Sequence, residues 1–316
     1  VYKRQGITGS KFDPRALYDP IHDRFIIACL NGFTDSTSHI ILGFSQSNDP
    51  TGGWNMYSLP GDPNNDSLWT DYPIMALTSE ELFLTGNLLY NDQPWQTGFS
   101  HSICWQLDLD SAYAGNALSS NLWFNVNFGG APIRNLCPIQ GGSTPAGPNM
   151  YLVSNRNFAT SNDTVFIMEI TDTIGAPGAQ YLVDYGISNT PYSLAPNALQ
   201  QYQQRLATND ARWLDGFIEN GNVQFVGNCR DANTGRPGFY HGVITDITGT
   251  RTVTGNIIGN PNGAYGYPAI GWMGMNSGSD EALIAINYCG TTSATRPGCG
   301  AIYFDGTNDY SPLVIC

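Results

Sequence analysis

Five apolar runs, each closed by an asparagine, recur along the chain: 26–31, 82–87, 150–155, 223–228 and 282–287. The closing residues Asn31, Asn87, Asn155, Asn228 and Asn287 fall 56, 68, 73 and 59 positions apart (87−31, 155−87, 228−155, 287−228). A short segment marked by proline or arginine precedes each run: Asp13-Pro14-Arg15, Asp71-Tyr72-Pro73, Pro132-Ile133-Arg134, Asp210-Ala211-Arg212 and Gly266-Tyr267-Pro268. A third apolar run follows each, such as 39–44 or 241–247, and in several repeats a fourth, weaker one, such as 54–59. The second run does not alternate between apolar and polar, as expected of a strand covered on both faces. Four short strands per repeat with turn-rich links define the blade of a β-propeller. The pattern therefore predicts an all-β chain with at least five four-stranded antiparallel blades. A two-sheet sandwich is the main competitor, but it leaves five repeats of one strand order unexplained. Residues 197–206, rich in glutamine, are expected to form a brief helix.

Composition agrees with this picture. Charged residues make up 12% of the chain, about half the globular average. Only five of the 26 acids are glutamate, at 80, 81, 169, 219 and 281; the rest are aspartate, a residue of turns. A net charge of −13 with only two lysines, Lys3 and Lys11, supplies no basic stripe, so nucleic acid and anionic membrane surfaces are poor partners. No stretch reaches the roughly 18 apolar residues that predict membrane insertion. The opening Val1-Tyr2-Lys3-Arg4-Gln5 back-translates into a sequencing-adapter end. Residues 1–5 are thus expected to be a non-native leader on a metagenomic fragment. Apart from Cys316, six cysteines remain, an even number that fits an oxidising, extracellular compartment. Cys289 and Cys299 flank a Gly/Thr/Pro-rich loop and are the expected disulfide; buried thiols in a cytosolic protein are the alternative.

Three segments carry a family resemblance: 13–25 (DPRALYDPIHDRF), 47–54 (SNDPTGGW) and Asp71-Tyr72-Pro73. They resemble a group of bacterial secreted or cell-surface propellers of unassigned function, distantly similar to the sialidase superfamily. The resemblance implies one propeller domain over residues 6–316, truncated at both ends, with about seven blades in the complete protein and further domains beside it; a five-bladed ring closed within these residues is the alternative. The repeats fall at about 12–62, 71–126, 129–188, 197–260 and 263–316. Segment 47–54 is similar to an Asp box with its glycine displaced by one position. Asp49 would then bind turn amides while Trp54 packs into the blade, a structural role.

His39, His101 and His241 all open a third strand. Strands lie about 4.8 Å apart, so third strands of different blades diverge too far for one metal ion. Each histidine is expected to bond within its own blade, to the asparagine ending the second strand. No metal site and no cofactor are expected, although Asp/Asn turns such as 62–66 leave room for structural calcium. Arg15, Arg134 and Arg212 lie on first strands, which line a propeller's axis. With Asp71, Tyr72, Asp210 and Tyr267, and with Asp13, they are the expected ligand-binding set. Bidentate arginine contacts suit the carboxylate of an acidic sugar; the alternative is arginines paired with blade aspartates. No GxSxG, HExxH or phosphate-binding loop occurs, and no glutamate falls on a first strand. The leading expectation is an extracellular, non-catalytic recognition or adhesion propeller for a glycan or surface protein. A sialidase-like hydrolase or lyase of acidic sugars and a structural spacer are the alternatives.

Overall fold

The computed structural model describes residues 10–200, 204–274, 279–290, 297–307 and 310–313. Within them the chain is a β-propeller of five four-stranded antiparallel blades with little helix. The first blade comprises Lys11–Asp19, Arg24–Asn31, His39–Ser45 and Trp54–Pro60. The second comprises Leu68–Leu77, Glu81–Tyr90, Phe99–Asp108 and Ser120–Trp123. Cys137–Pro138, Met150–Asn155, Asn162–Ile170 and Tyr181–Tyr192 make the third. The fourth is built from Trp213–Glu219, Asn222–Arg230, Pro237–Thr245 and Thr252–Ile258, and its first strand ends in Glu219, against the expectation that no glutamate falls on a first strand. Gly263–Trp272, Ala282–Gly290, Gly298–Phe304 and Tyr310–Leu313 form the fifth. Gln140–Gly141 adds a short parallel strand beside Phe217–Ile218, so the fourth sheet has five strands.

Local chemistry explains the links. Asn220 and Gly221, both at positive φ (50° and 75°), join Glu219 to Asn222, the Asn-Gly pair that a two-residue hairpin favours. One turn of helix, Leu109–Ala114, is capped by Asp108, whose side chain accepts from the Ser111 N–H at 2.7 Å; left-handed Gly115 ends it. The helix expected over 197–206 is not formed by the described residues there. Ala198–Leu199 pairs instead with Arg205–Leu206 as a two-strand ladder, and residues 201–203 lie outside the described set. So short a helix would be marginal alone. The ladder buries Ala198 with Ala264, Cys289 and Leu206, and that packing outweighs local propensity.

The chain divides into two compact units: residues 1–138, 147–150 and 169–183, and residues 139–146, 151–168 and 184–316. In the first, one apolar core takes Ile26, Leu42 and Phe44 from the first blade with Leu82, Leu84 and Leu107 from the second. In the second, Phe217, Val226 and Phe239 of the fourth blade pack with Ile284, Ile302 and Phe304 of the fifth. The second strands of the first four blades are buried over most of their length, as Glu81–Leu89 shows, whereas that of the fifth leaves Ala285 exposed.

Four first strands carry a register shift: between Phe12 and Arg15, Asp71 and Ile74, Trp213 and Asp215, and Gly266 and Ala269. In three of them a left-handed residue stands directly before a proline: Asp13 (φ 47°), Tyr72 (57°) and Tyr267 (52°). Asn135 (57°) takes the same conformation ahead of the third blade. These are β-bulges, and proline fits because a bulge position needs no ladder donor.

Three of the run-ending asparagines hold the chain at, or just before, a first strand. Asn87 Oδ1 accepts from the Asn135 N–H at 3.0 Å, and Asn228 Oδ1 accepts from the Tyr267 N–H at 2.7 Å. Asn155 donates to the Ala211 carbonyl at 2.6 Å, and Asn228 donates to that of Thr208 at 2.8 Å. Asn31 differs, accepting from Lys11 Nζ and donating to Thr37 within its own blade. Asn228 is buried, so Asn228→Ala leaves one backbone donor and one acceptor without partners. A loss of about 2–3 kcal/mol in unfolding free energy is expected, read as a lower urea midpoint; a change below about 0.5 kcal/mol would mean that the bulge holds itself.

Candidate functional site

Of the polar residues singled out above, Asp13, Arg15, Asp71, Tyr72 and Tyr267 lie on first strands, whereas Arg134, Asp210 and Arg212 stand just before the first strands of the third and fourth blades, which begin at Cys137 and Trp213. In the first unit Asp13 and Arg15 are exposed on the first strand of the first blade. Arg15 Nε donates to the Pro73 carbonyl at 2.8 Å, and the guanidinium lies 5.8 Å from the centre of the Tyr72 ring. The bulge in the second blade thus places Tyr72 and Pro73 against Arg15. Asp71, half-buried, pairs in register with Asn87. Left-handed φ costs a residue with a Cβ about 1–2 kcal/mol, and a bulky residue there is a genuine outlier. Such strain persists where surrounding structure enforces it and clusters at functional sites.

Arg134 takes a different environment. It is buried, with its Nη atoms donating to the carbonyls of Trp95 and Gln96 and its guanidinium 4.9 Å from the Phe99 ring centre and 5.6 Å from that of Trp95. In the second unit Arg212 forms a bidentate pair with Asp210, both bonds 2.7 Å long, and both residues are buried. Asp210 also accepts from the Arg212 N–H at 3.0 Å and from Asn157 Nδ2 at 2.6 Å. Tyr267 stands near this pair. Burial raises its phenol pKa; Arg212 works against the shift and Asp210 adds to it. The Tyr267 hydroxyl donates to the Ala207 carbonyl. The expected ligand set therefore divides between an exposed arginine, Arg15, and two arginines whose guanidinium groups bind internal partners.

The histidines do not bond to the asparagines. His39 Nδ1 lies 3.3 Å from Ser58 Oγ on the fourth strand, and His101 Nδ1 lies 3.1 Å from Ser100 Oγ. His241 reaches out of its blade: Nδ1 is 2.8 Å from the Tyr310 hydroxyl of the fifth blade and Nε2 is 3.0 Å from Gln224 Oε1. Burial holds the His241 pKa down to about 3, so the ring is neutral. Gln224 Nε2 donates to the Asp280 carbonyl at 2.7 Å, which turns Oε1 toward the histidine. Nε2 of His241 therefore carries the proton, and Nδ1 accepts from Tyr310. Reading the sequence missed Tyr310, which lies in no motif, and Gln224, a lone polar residue inside the run 223–228.

The Cys289–Cys299 disulfide is overturned: both are thiols, Cys289 buried and Cys299 exposed. Cys299 pairs in register with Asn287, so Cys289 sits one diagonal step away. That step separates side chains by about 7–8 Å, well beyond the ~3.8 Å between disulfide Cβ atoms. Cys289 Sγ instead reaches the Leu199 carbonyl at 3.6 Å, and Cys299 Sγ the Asn287 side chain at 3.3 Å. In segment 47–54, Asp49 Oδ1 accepts from the Thr51 N–H at 2.9 Å and from its hydroxyl at 2.6 Å. Trp54 does not sink into the blade; it is half-buried, and its indole N–H donates to Pro50 of its own turn at 3.1 Å. Asp62 closes its turn by accepting from the N–H groups of Asp66 and Ser67. Among the described residues no group of three His, Cys, Asp or Glu side chains could hold a metal ion. No helix among them is long and apolar enough to cross a membrane.

No protein-family model and no curated protein matches the chain. Solved structures of similar fold include Trypanosoma rangeli sialidase with the inhibitor DANA, at 8% identity and TM-score 0.49, over 98% of this chain and 49% of that one. The chain thus spans about half the length of that sialidase. A thermostable family-43 glycoside hydrolase aligns at 10% identity and TM-score 0.44, over 98% and 96% of the two chains. Cellvibrio cellulosa α-L-arabinanase with arabinohexaose aligns at 11% identity and TM-score 0.42, over 96% of each.

Proposed function

We propose that this chain is a carbohydrate-directed propeller of the glycoside hydrolase type, acting on an acidic sugar at the bulged first strands of its first two blades. The observation that carries this reading is Arg15. Its Nε is fixed by the Pro73 carbonyl and its face rests near the Tyr72 ring, while the side chain stays exposed beside the exposed Asp13. A guanidinium held by one edge presents its other nitrogens in a fixed fork that fits a sugar carboxylate. Two carboxyl groups share these strands: Asp13 stands two residues before Arg15, and Asp71 two before Pro73, whose carbonyl Arg15 binds. Glycoside hydrolysis needs such a pair, one to protonate the leaving oxygen and one to act on the anomeric carbon or on water.

A second reading, recognition without turnover, is favoured by the internal bonding of Arg134 and Arg212. That leaves only one of the three arginines exposed toward a ligand. A fluorogenic-glycoside screen combined with a glycan array separates the two. Under the hydrolase reading Asp13→Asn and Asp71→Asn lower kcat by about 10²–10⁴-fold, and Arg15→Ala raises KM by about 10- to 100-fold for acidic substrates. Binding without turnover, lost in Arg15→Ala, would establish recognition. Turnover equal in all three variants would remove the site from these strands.

A further inference from the structure

Between the fourth and fifth blades, wholly within the second unit, lies a pocket of about 520 Å³ that contains the His241–Tyr310 pair. Its volume falls within the range of small-ligand pockets, about 300–1,000 Å³. We propose that it binds a neutral monosaccharide, or one neutral sugar residue of a glycan. This proposal is independent of the first-strand site, which lies in the other unit.

The lining matches such a ligand in three ways. First, its polar groups suit hydroxyls. With its proton given to His241 Nδ1, the Tyr310 oxygen turns lone pairs outward, where the Asn256 side chain bonds to it. The exposed amide of Asn256 can both donate and accept, as sugar hydroxyls do. Second, the one acidic or basic side chain among the described lining residues, the neutral His241 aside, is Asp280, whose carboxylate Asn222 Nδ2 approaches at 3.3 and 3.5 Å. Asn222 is itself fixed, its Oδ1 accepting from the Asp246 N–H at 3.2 Å. A carboxylate held this way accepts from neighbouring hydroxyls, and with no lysine or arginine among the described lining residues it repels an anion. Third, Phe304 and Val243 supply an apolar patch for the C–H face of a pyranose. The neutral histidine is the keystone: buried between Gln224 and Tyr310, it fixes the phenol's orientation without placing a positive charge behind the wall.

The test is saturation-transfer NMR and calorimetric titration of the intact chain with glucose, galactose, mannose and N-acetylglucosamine, with glucuronate as the anionic control. At least one neutral sugar is expected to bind with a Kd in the millimolar range, as ligand efficiency allows for a ligand of about 12 heavy atoms. Asn256→Ala and Asp280→Asn should each weaken it about tenfold, the scale of a lost hydrogen bond. Thr254→Trp, a rim substitution that obstructs the mouth without touching the histidine pair, should abolish binding with the circular dichroism spectrum unchanged. Asp13→Asn should leave it intact, which separates failure here from failure of the first-strand reading. The proposal is overturned if no neutral sugar binds at tens of millimolar, if binding survives Thr254→Trp, or if glucuronate binds as well as the neutral sugars.

Discussion

Arg212→Ala is expected to lower the unfolding free energy by about 3–5 kcal/mol, the range measured when one partner of a buried ion pair is removed. Asp210 is wholly buried, and Arg212 nearly so. The arginine supplies two of the four hydrogen bonds that Asp210 receives from side chains and backbone, each 2.7 Å long. Deleting it strands a carboxylate with one amide and one backbone donor, too few for a buried charge. Arg212→Lys should recover little, because an ammonium cannot reproduce the planar fork. The double variant Asp210→Asn, Arg212→Met should recover most of the loss, since removing both charges also removes the desolvation penalty. Urea unfolding of the three variants decides the matter. A loss below about 1 kcal/mol for Arg212→Ala would mean that water reaches Asp210 and that the pair is not sealed.

Much of the fold was legible in the sequence, and the reasons can be named. The non-alternating runs ending at Asn31, Asn87, Asn155, Asn228 and Asn287 mark second strands because a blade's inner strands are covered on both sides. The prolines at 14, 73 and 268 marked the first strands. Their bulges, and the capture of the bulge N–H by an asparagine of the preceding blade, became visible only in three dimensions. Asp210 and Arg212 could be paired on paper because they stand two residues apart. Tyr310 and His241 could not, being 69 residues apart and neighbours only through the register of adjacent blades. The disulfide failed for a related reason. Flanking a loop suggests proximity, whereas a bridge depends on directly opposed register, and Cys299 opposes Asn287. The Gln-rich segment failed because local propensity was outvoted by burial of Ala198.

The site was legible as a list of polar residues at or just before first strands, but not as an arrangement. Sequence treats Arg15, Arg134 and Arg212 as equivalent by position. The structure gives them three environments: exposed and held by one edge, sandwiched by aromatic rings, and locked to a carboxylate. The scarcity of charge along the chain sharpens this distinction, since each buried arginine needs a local partner and an exposed one has none imposed upon it. Arg15 is therefore the informative position for ligand binding, and Arg212 for stability.

His241 should make the protein acid-sensitive well above the carboxylate range. Its folded pKa is about 3, lowered by burial from 6.5. Below pH 6.5 the unfolded chain takes up a proton on this ring that the folded chain refuses until about pH 3. The unfolded state binds more protons in that window, so stability is present above pH 6.5 and lost as pH falls, at up to about 1.4 kcal/mol per unit. Groups facing the ring temper this differently. Tyr310 stays protonated, its pKa raised to about 12 chiefly by burial, and contributes nothing in acid. Elsewhere Glu81, whose pKa burial raises, acts in the opposite sense, because its folded form binds a proton more readily than the unfolded chain. Comparing wild type with His241→Gln at each pH cancels that background. At pH 7 the variant should be less stable by about 1–3 kcal/mol, having lost the bond to Tyr310. At pH 5 the gap should close by about 2 kcal/mol, because only the wild type carries the proton penalty. A gap that stays constant between pH 7 and pH 5 would show that the folded protein protonates His241 at ordinary pH. In that case the imidazole could not accept from Tyr310, and the phenol would turn its proton, rather than its lone pairs, toward the pocket.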